Sequence, residues 1–208
     1  PARSRQLGRG RTALADVGDE TSVKHLFSEC EKFLGGLDIL VNNAGIAGPT
    51  GPVESLALDA WEETLRVNIT GQFLCARLAV PLLRRSGGGA IINMSSAAGR
   101  FGFPRRTAYA ASKWAVVGFT KSLSMELGPD NIRVNAVCPG AVDGPRIRRV
   151  IESKSKSLNK PYDEVFADYV AQGSLGRMVT EADIAATILF ACSDQGRNIS
   201  GQALAVDA

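Results

Sequence analysis

Two residues in the stretch TAYAASKWAVVGFTKSL, residues 107–123, could do proton chemistry together: Tyr109 and Lys113. Positions i and i+4 of a helix are neighbours on one face, so a helix here sets the phenol beside the ammonium. A positive charge close to a phenol favours the phenolate and draws its pKa down from about 10 toward neutral pH. Such a tyrosine can both give and take a proton in neutral water. Taken alone, the pair is more often an amphipathic helix with Tyr at its mouth and Lys reaching solvent. The rest of the chain must decide between the two.

The other function classes thin out quickly. The chain has 208 residues, 45% hydrophobic and 22% charged, with a net charge of +3. That is one ordinary globular domain, large enough to bury a core and too weakly charged to suggest nucleic acid. Arginines at positions 3, 5, 9 and 11 form a basic arm with no interleaved aromatics, which reads as a solvated linker. Cys30, Cys75, Cys138 and Cys192 have no metal or redox spacing, so neither a zinc site nor a disulfide scaffold is expected and a reducing cytoplasm is the natural home. The single histidine, His25, excludes a multi-histidine metal site, and a Ser-His-Asp hydrolase would have to use it. No apolar run approaches the roughly 18 residues that span a bilayer, so no membrane partner is expected.

Short apolar runs alternate with long helical patterns. RTALADV reads as a strand ending near Asp16, followed by a helix through Leu34. LDILVNNAG reads as a buried strand running into a glycine turn, and a long helix, broken or preceded by a short turn, covers Leu58 to Arg85. Gly87, Gly88 and Gly89 precede the strand AIINMSS; the Tyr109 helix runs to Leu127, where GPD stops it. IRVNAVCPG and ALAVDA are further strands. Strands separated by such helices imply βαβ units: an α/β, Rossmann-like, doubly wound parallel sheet with helices on both faces. Ligands bind such sheets beyond the carboxyl ends of the strands. The turns expected there, NNAG, SSAAG and CPG, are made of small residues that admit a flat ligand close to backbone.

Together these residues resemble the short-chain dehydrogenase/reductase family. NNAG at 42–45 matches its post-strand motif and Asn68 its helix asparagine; Ser96 stands thirteen residues before Tyr109, Lys113 four after it, and PG thirty after it. The resemblance runs from Asp16 to the SGQALAVDA end. It implies hydride transfer between NAD or NADP and a small-molecule alcohol or carbonyl, with Tyr109 as general acid or base. Lys113 would tune Tyr109 and hold the nicotinamide ribose, Ser96 would bind the substrate oxygen, and Asn68 would hold a relay water. Asp16 and Val17 would meet the adenine, Asn42, Asn43, Ala44 and Gly45 the adenosine ribose side, and Val67 the ribose. Pro139, Gly140 and Val142 would flank the nicotinamide. Ser95, beside Ser96 but at the wrong spacing, is expected to bond backbone.

Two departures accompany the resemblance. Gly144 stands where the family often has a carboxamide-binding Thr, with Asp143 or Arg146 as substitutes. The family's Gly-rich phosphate turn is absent, so a leading βαβ unit of at least about 30 residues is expected before Pro1. NAD or NADP preference would be decided by an Asp or an Arg in that unit. Residues 144–179 are expected to be a substrate lid with little hold of its own; they carry six Lys and Arg residues from Arg146 to Lys160, read as a solvated basic face rather than an anion site. Ala111, Ala115 and Gly118, with Phe73 and Leu74, point to a homo-oligomer, a tetramer or dimer. An epimerase or dehydratase of the same fold would need a larger C-terminal domain. A catalytically silent nucleotide-binding or scaffold protein is the rival from another class.

Overall fold

Period-2 alternation decides which side chains meet which helices. A computed structural model describes residues 10–208. It contains four parallel strands in sequential order: β1 (Ile39–Asn42), β2 (Gly89–Met94), β3 (Ile132–Pro139) and β4 (Ala203–Val206). Ile91 and Val134 point to one face and pack with Ala79 and Leu83 of α3 (Gly71–Arg85) and with Leu123 of α4 (Thr107–Leu127). Ile92, Met94 and Val137 point to the other and pack on Ile184 and Ala191 of a helix at Glu181–Cys192. Helices therefore lie on both faces, and the core is two apolar layers separated by β2 and β3.

The expected elements form, with four corrections. Residues 10–16 carry no strand, and among the described residues nothing pairs the outer edge of β1. A strand needs a ladder partner for its backbone groups, and here the preceding segment has none. Its Arg11 instead pairs with Glu29 of α1 (Glu20–Leu34) at 3.1 Å; Arg3, Arg5 and Arg9 lie outside the described residues. β1 is not fully buried: Ile39 and Val41, which share a face with Ile92, are 45% and 39% exposed because no described helix covers that end. Gly128 does not reverse the chain after α4. It stays right-handed, a 3₁₀ turn follows, and Asn131 takes the left-handed position at φ 58°, a conformation that Asn tolerates.

The fourth correction concerns residues 144–179. They fold into α5 (Pro145–Leu158) and α6 (Tyr162–Val170), whose Ile151, Val165 and Tyr169 are buried against each other and against Phe103 and Met178. The segment thus has an apolar core of its own. Its base is pinned where Val142 bridges Val179 and Asp143 N–H donates to Val179 O at 2.9 Å. The final helix, α7 (Glu181–Cys192), opens with a reciprocal capping box between Thr180 and Asp183.

Arg133 of β3 closes the other end of α7. Its guanidinium donates to the carbonyls of Ala191, Gly196 (3.0 Å) and Cys192 (3.2 Å), a cation on the negative end of a helix. Arg133→Met should lower the stability of the chain by about 2 kcal/mol, since several charge-assisted bonds to otherwise orphaned carbonyls go with it. Arg133→Lys should recover only part, lacking the fork. Urea midpoints of the three proteins check this.

Candidate active site

The C-terminal ends of β1 and β2 are tied to α4 by buried polar groups. Asn42 Nδ2 donates to Asn93 Oδ1 at 2.9 Å, and Asn93 Nδ2 donates to Thr120 Oγ1 at 3.0 Å. Where β2 ends, the Ser95 hydroxyl donates to the Lys113 carbonyl at 2.8 Å, the backbone-bonding role expected of it. A side chain at Gly99 would strike Ser95 Oγ at 2.4 Å and the Lys113 carbonyl oxygen at 2.6 Å, so only glycine lets the turn after Ser96 approach α4 this closely. Ser96 Oγ caps that turn by accepting from Ala98 N–H at 3.2 Å, and the residue stays partly open to the cleft.

Helical spacing brings Tyr109 and Lys113 together as expected, with the ammonium 5.6 Å from the phenol ring centroid. The lysine does not reach solvent. It is 4% exposed and donates to the Met94 carbonyl at 2.8 Å. Burial pushes its ammonium down to about 8; Arg146 adds repulsion and the Cys138 thiol pulls slightly the other way. An ammonium has three N–H donors, and among the described residues only Met94 accepts from this one. A buried cation with unspent donors at a strand edge fits a ligand rich in hydroxyls.

Asn68 lies in a π-helical turn, residues 66–70, that separates α3 from a helix at Leu58–Leu65. It is fully buried and clasps the chain after NNAG: Oδ1 accepts from Ile46 N–H at 2.8 Å, while Nδ2 donates to Ile46 O and to Ser112 Oγ, both at 3.0 Å. A Cβ at Gly45 would stand 3.0 Å from Asn68 Oδ1 and 3.6 Å from Lys113 Nζ, which places that glycine against both side chains. Val17, Asn42, Ala44 and Val67 line one small cleft. It adjoins an apolar groove of about 210 Å³ that Val17, Asn42, Asn43 and Ala44 share with Leu40 and Cys75.

Asp16 stands apart from this group. Its carboxylate accepts from Gly18 N–H at 2.9 Å and pairs with Arg66 at 2.9 Å, and these contacts hold its pKa below the ordinary range. Pro139 ends β3 and Gly140 follows it; Gly140 N–H donates to Val206 O at 2.9 Å and its missing Cβ makes room for Asp207. Val142 follows at the base of the 144–179 segment. Asp143 pairs with Arg148 at 3.2 Å. His25 is exposed on α1, and among the described residues no group of three His, Cys, Asp or Glu could hold a metal ion.

Sequence reasoning passed over Arg106, at the position before α4. It is 3% exposed, with its guanidinium carbon 4.8 Å from the Tyr109 ring centroid, closer than Lys113. A signal was available: an arginine at a helix start faces the positive end of the helix dipole, where cations are disfavoured.

A family model described as Enoyl-(Acyl carrier protein) reductase matches residues 3–208. A 3beta-hydroxysteroid dehydrogenase of Mediterraneibacter gnavus is 36% identical, over 96% of this chain and 76% of the relative. Trans-4-hydroxycyclohexanecarboxylate dehydrogenase of Sinomonas cyclohexanicum is 40% identical, over 92% of this chain and 67% of that protein. The crystal structure of NAD+-bound xylitol dehydrogenase superposes with a TM-score of 0.90 at 27% identity, covering 93% of this chain and 76% of the other. The chain belongs to the short-chain dehydrogenase/reductase family. It is an NAD(P)-dependent oxidoreductase acting on alcohol and ketone groups.

The buried ammonium has a measurable signature. Its folded value near 8 lies below the unfolded value of 10.5, so the folded state releases its proton first. Below pH 8 both states are charged and folding carries the cost of burying the charge. Between pH 8 and 10.5 the unfolded chain binds more protons and stability rises with pH. Lys113→Met should remove that rise, on the order of 3 kcal/mol, as read from urea unfolding of parent and variant at pH 7 and pH 10.5.

Proposed function

We propose that the chain interconverts an alicyclic secondary alcohol and its ketone, with Tyr109 as the proton carrier. The observation that carries this reading is the buried Lys113 ammonium, held beside the half-buried Tyr109 at the strand edge with donors to spare. The names of the two relatives, a hydroxysteroid and a hydroxycyclohexanecarboxylate dehydrogenase, support the alicyclic class.

In oxidation the carbinol O–H proton passes to the Tyr109 oxygen; in reduction Tyr109 O–H gives its proton to the carbonyl oxygen. A nicotinamide held in the cleft would supply the hydride chemistry, as acceptor in the first direction and donor in the second. Ser96 Oγ donates to the substrate oxygen and stabilises charge that builds there. Lys113 would hold the nicotinamide ribose with the donors that Met94 leaves free. Both amide protons of Asn68 are spent on Ile46 and Ser112, so a relay water from Lys113 to solvent would rest on its oxygens. Val17 would meet the adenine; Asn42, Asn43, Ala44 and Gly45 the adenosine ribose side, with Val67 on the ribose. Pro139, Gly140 and Val142 would flank the nicotinamide. Asp16 is weaker as an adenine contact because Arg66 and Gly18 already occupy its carboxylate. With Asp143 tied to Arg148, Arg146 is the better substitute for the missing carboxamide-binding side chain at Gly144. The segment 144–179 would close over the substrate as a lid.

Four free cysteines suit the cytoplasm, and no helix is long and apolar enough to cross a membrane. The chain would assemble as a homotetramer or dimer through the outer face of α4, where Trp114 and Met125 are 49% and 82% exposed, and through Phe73 of α3. Leu74, expected in that interface, is buried in the core instead. Sedimentation at micromolar concentration should find the oligomer; monomer alone would refute it.

Tyr109→Phe should lower kcat for oxidation of a cyclohexanol by about 10²–10⁴-fold while nucleotide affinity stays near that of the parent. Steady-state rates and fluorescence titration with NADH or NADPH check the two halves. Activity within tenfold of the parent would remove Tyr109 from the mechanism.

A further inference from the structure

Among the described residues, Arg106 is a buried charge with no anion paired to it. Nη2 donates to the Ala47 carbonyl at 2.8 Å, but Nε is enclosed and has no acceptor among the described residues. The guanidinium carbon stands 4.8 Å from the Tyr109 ring centroid and 5.8 Å from that of Phe103. A buried donor without a partner is expensive, more so on a cation. Holding the Ala47 carbonyl would need only one neutral donor.

Its surroundings share the same lack. The Tyr169 hydroxyl of α6 adjoins the guanidinium and interacts with it, but among the described residues neither this hydroxyl nor the buried Thr107 hydroxyl makes a hydrogen bond of good geometry. Two more cations converge from α5. Lys154 Nζ is 4.9 Å from the Tyr169 centroid, and Arg146 is near enough to repel both Arg106 and Lys113. Of the acidic side chains nearby, Asp143 pairs with Arg148, and Asp168 acts on Lys154 at the outer side of the cluster without reaching Arg106. Donors and positive charge thus meet at the seam between α4 and the α5–α6 segment, on the flank of Tyr109.

We propose that Arg106, with Tyr169 and Lys154, forms a subsite for the carboxylate of an acidic substrate, so that the enzyme works on hydroxy acids and keto acids. The inference rests on the reading of Tyr109 as the reacting end of the cleft. Nε and Nη2 share one edge of the guanidinium plane, and Nη2 spends only one of its two protons on Ala47. That edge matches the paired oxygens of a carboxylate. A carboxylate in the seam would satisfy Arg106 Nε and the Tyr169 hydroxyl together. Entry requires α5 and α6 to lift from α4, which places recognition of the acid at the lid hinge rather than on its outer face.

Isothermal calorimetry with cyclohexanecarboxylate and its methyl ester, in saturating NAD or NADP, tests the subsite without turnover. The acid should bind at least tenfold more tightly than the ester. Arg106→Met should weaken acid binding at least tenfold. Tyr169→Phe keeps the packing ring and so guards against a folding failure in the first variant; it should weaken acid binding a few-fold and leave ester binding alone. Equal binding of acid and ester, no binding of the acid, or parent-like acid affinity in both variants would overturn the proposal. Turnover of neutral cyclohexanols by a chain that ignores the carboxylate would sink the subsite and keep the hydride transfer. Tight acid binding by a chain that transfers no hydride would keep the subsite and sink the Tyr109 reading.

Discussion

The bond from Lys113 Nζ to the Met94 carbonyl is the contact around which the cleft is arranged. A desolvated ammonium tolerates few positions, and this one is held by a carbonyl at the very end of a central strand. Met94 O also accepts from Gln72 Nε2 at 3.2 Å, so α3 and α4 both report to the same point. Moving α4 along its axis would strip the cation of its acceptor and separate Ser95 from the Lys113 carbonyl. The register of Tyr109 against Ser96 is therefore a consequence of where one charge can be buried.

Polar groups, rather than apolar packing alone, specify this edge of the sheet. Aliphatic layers on either face of β2 and β3 would permit small slides of helix on strand. The chain Asn42–Asn93–Thr120 would not, because each buried amide left without its partner costs on the order of 1–3 kcal/mol. The same logic fixes the turn after NNAG, where Asn68 bonds both backbone groups of Ile46. The π turn that carries Asn68 costs helix geometry, and bulges of this kind recur at functional sites.

Charge is distributed unevenly across the cleft. Exposed ion pairs such as Arg66–Asp16 and Arg148–Asp143 neutralise the outer rim. Inside it, Lys113 and Arg106 are buried, and among the described residues neither is paired with a carboxylate. The cost of burying the two charges falls on the stability of the folded chain.

Local pattern was enough to read much of this protein. Helix spacing put Tyr109 beside Lys113, alternation and helix length implied the parallel sheet, and the small-residue turns fell together after the carboxyl ends of β1, β2 and β3, because these features depend only on near neighbours. The strand read at RTALADV failed for the opposite reason: a strand exists only with a partner, and no local pattern supplies one. The exposure of Ile39 and Val41 likewise depends on what covers β1. Gly and Ser content suggested a loose 144–179 segment, yet Ile151, Val165 and Tyr169, up to eighteen residues apart, close into a core that only α5 folding back on α6 can create. Arg106 reads as an ordinary surface arginine beside Arg105 until the fold brings Phe103, Tyr109 and Tyr169 around it. Residue types and spacing determined which groups could do the chemistry; burial, which belongs to the tertiary structure, decided which of their charges are left without a partner.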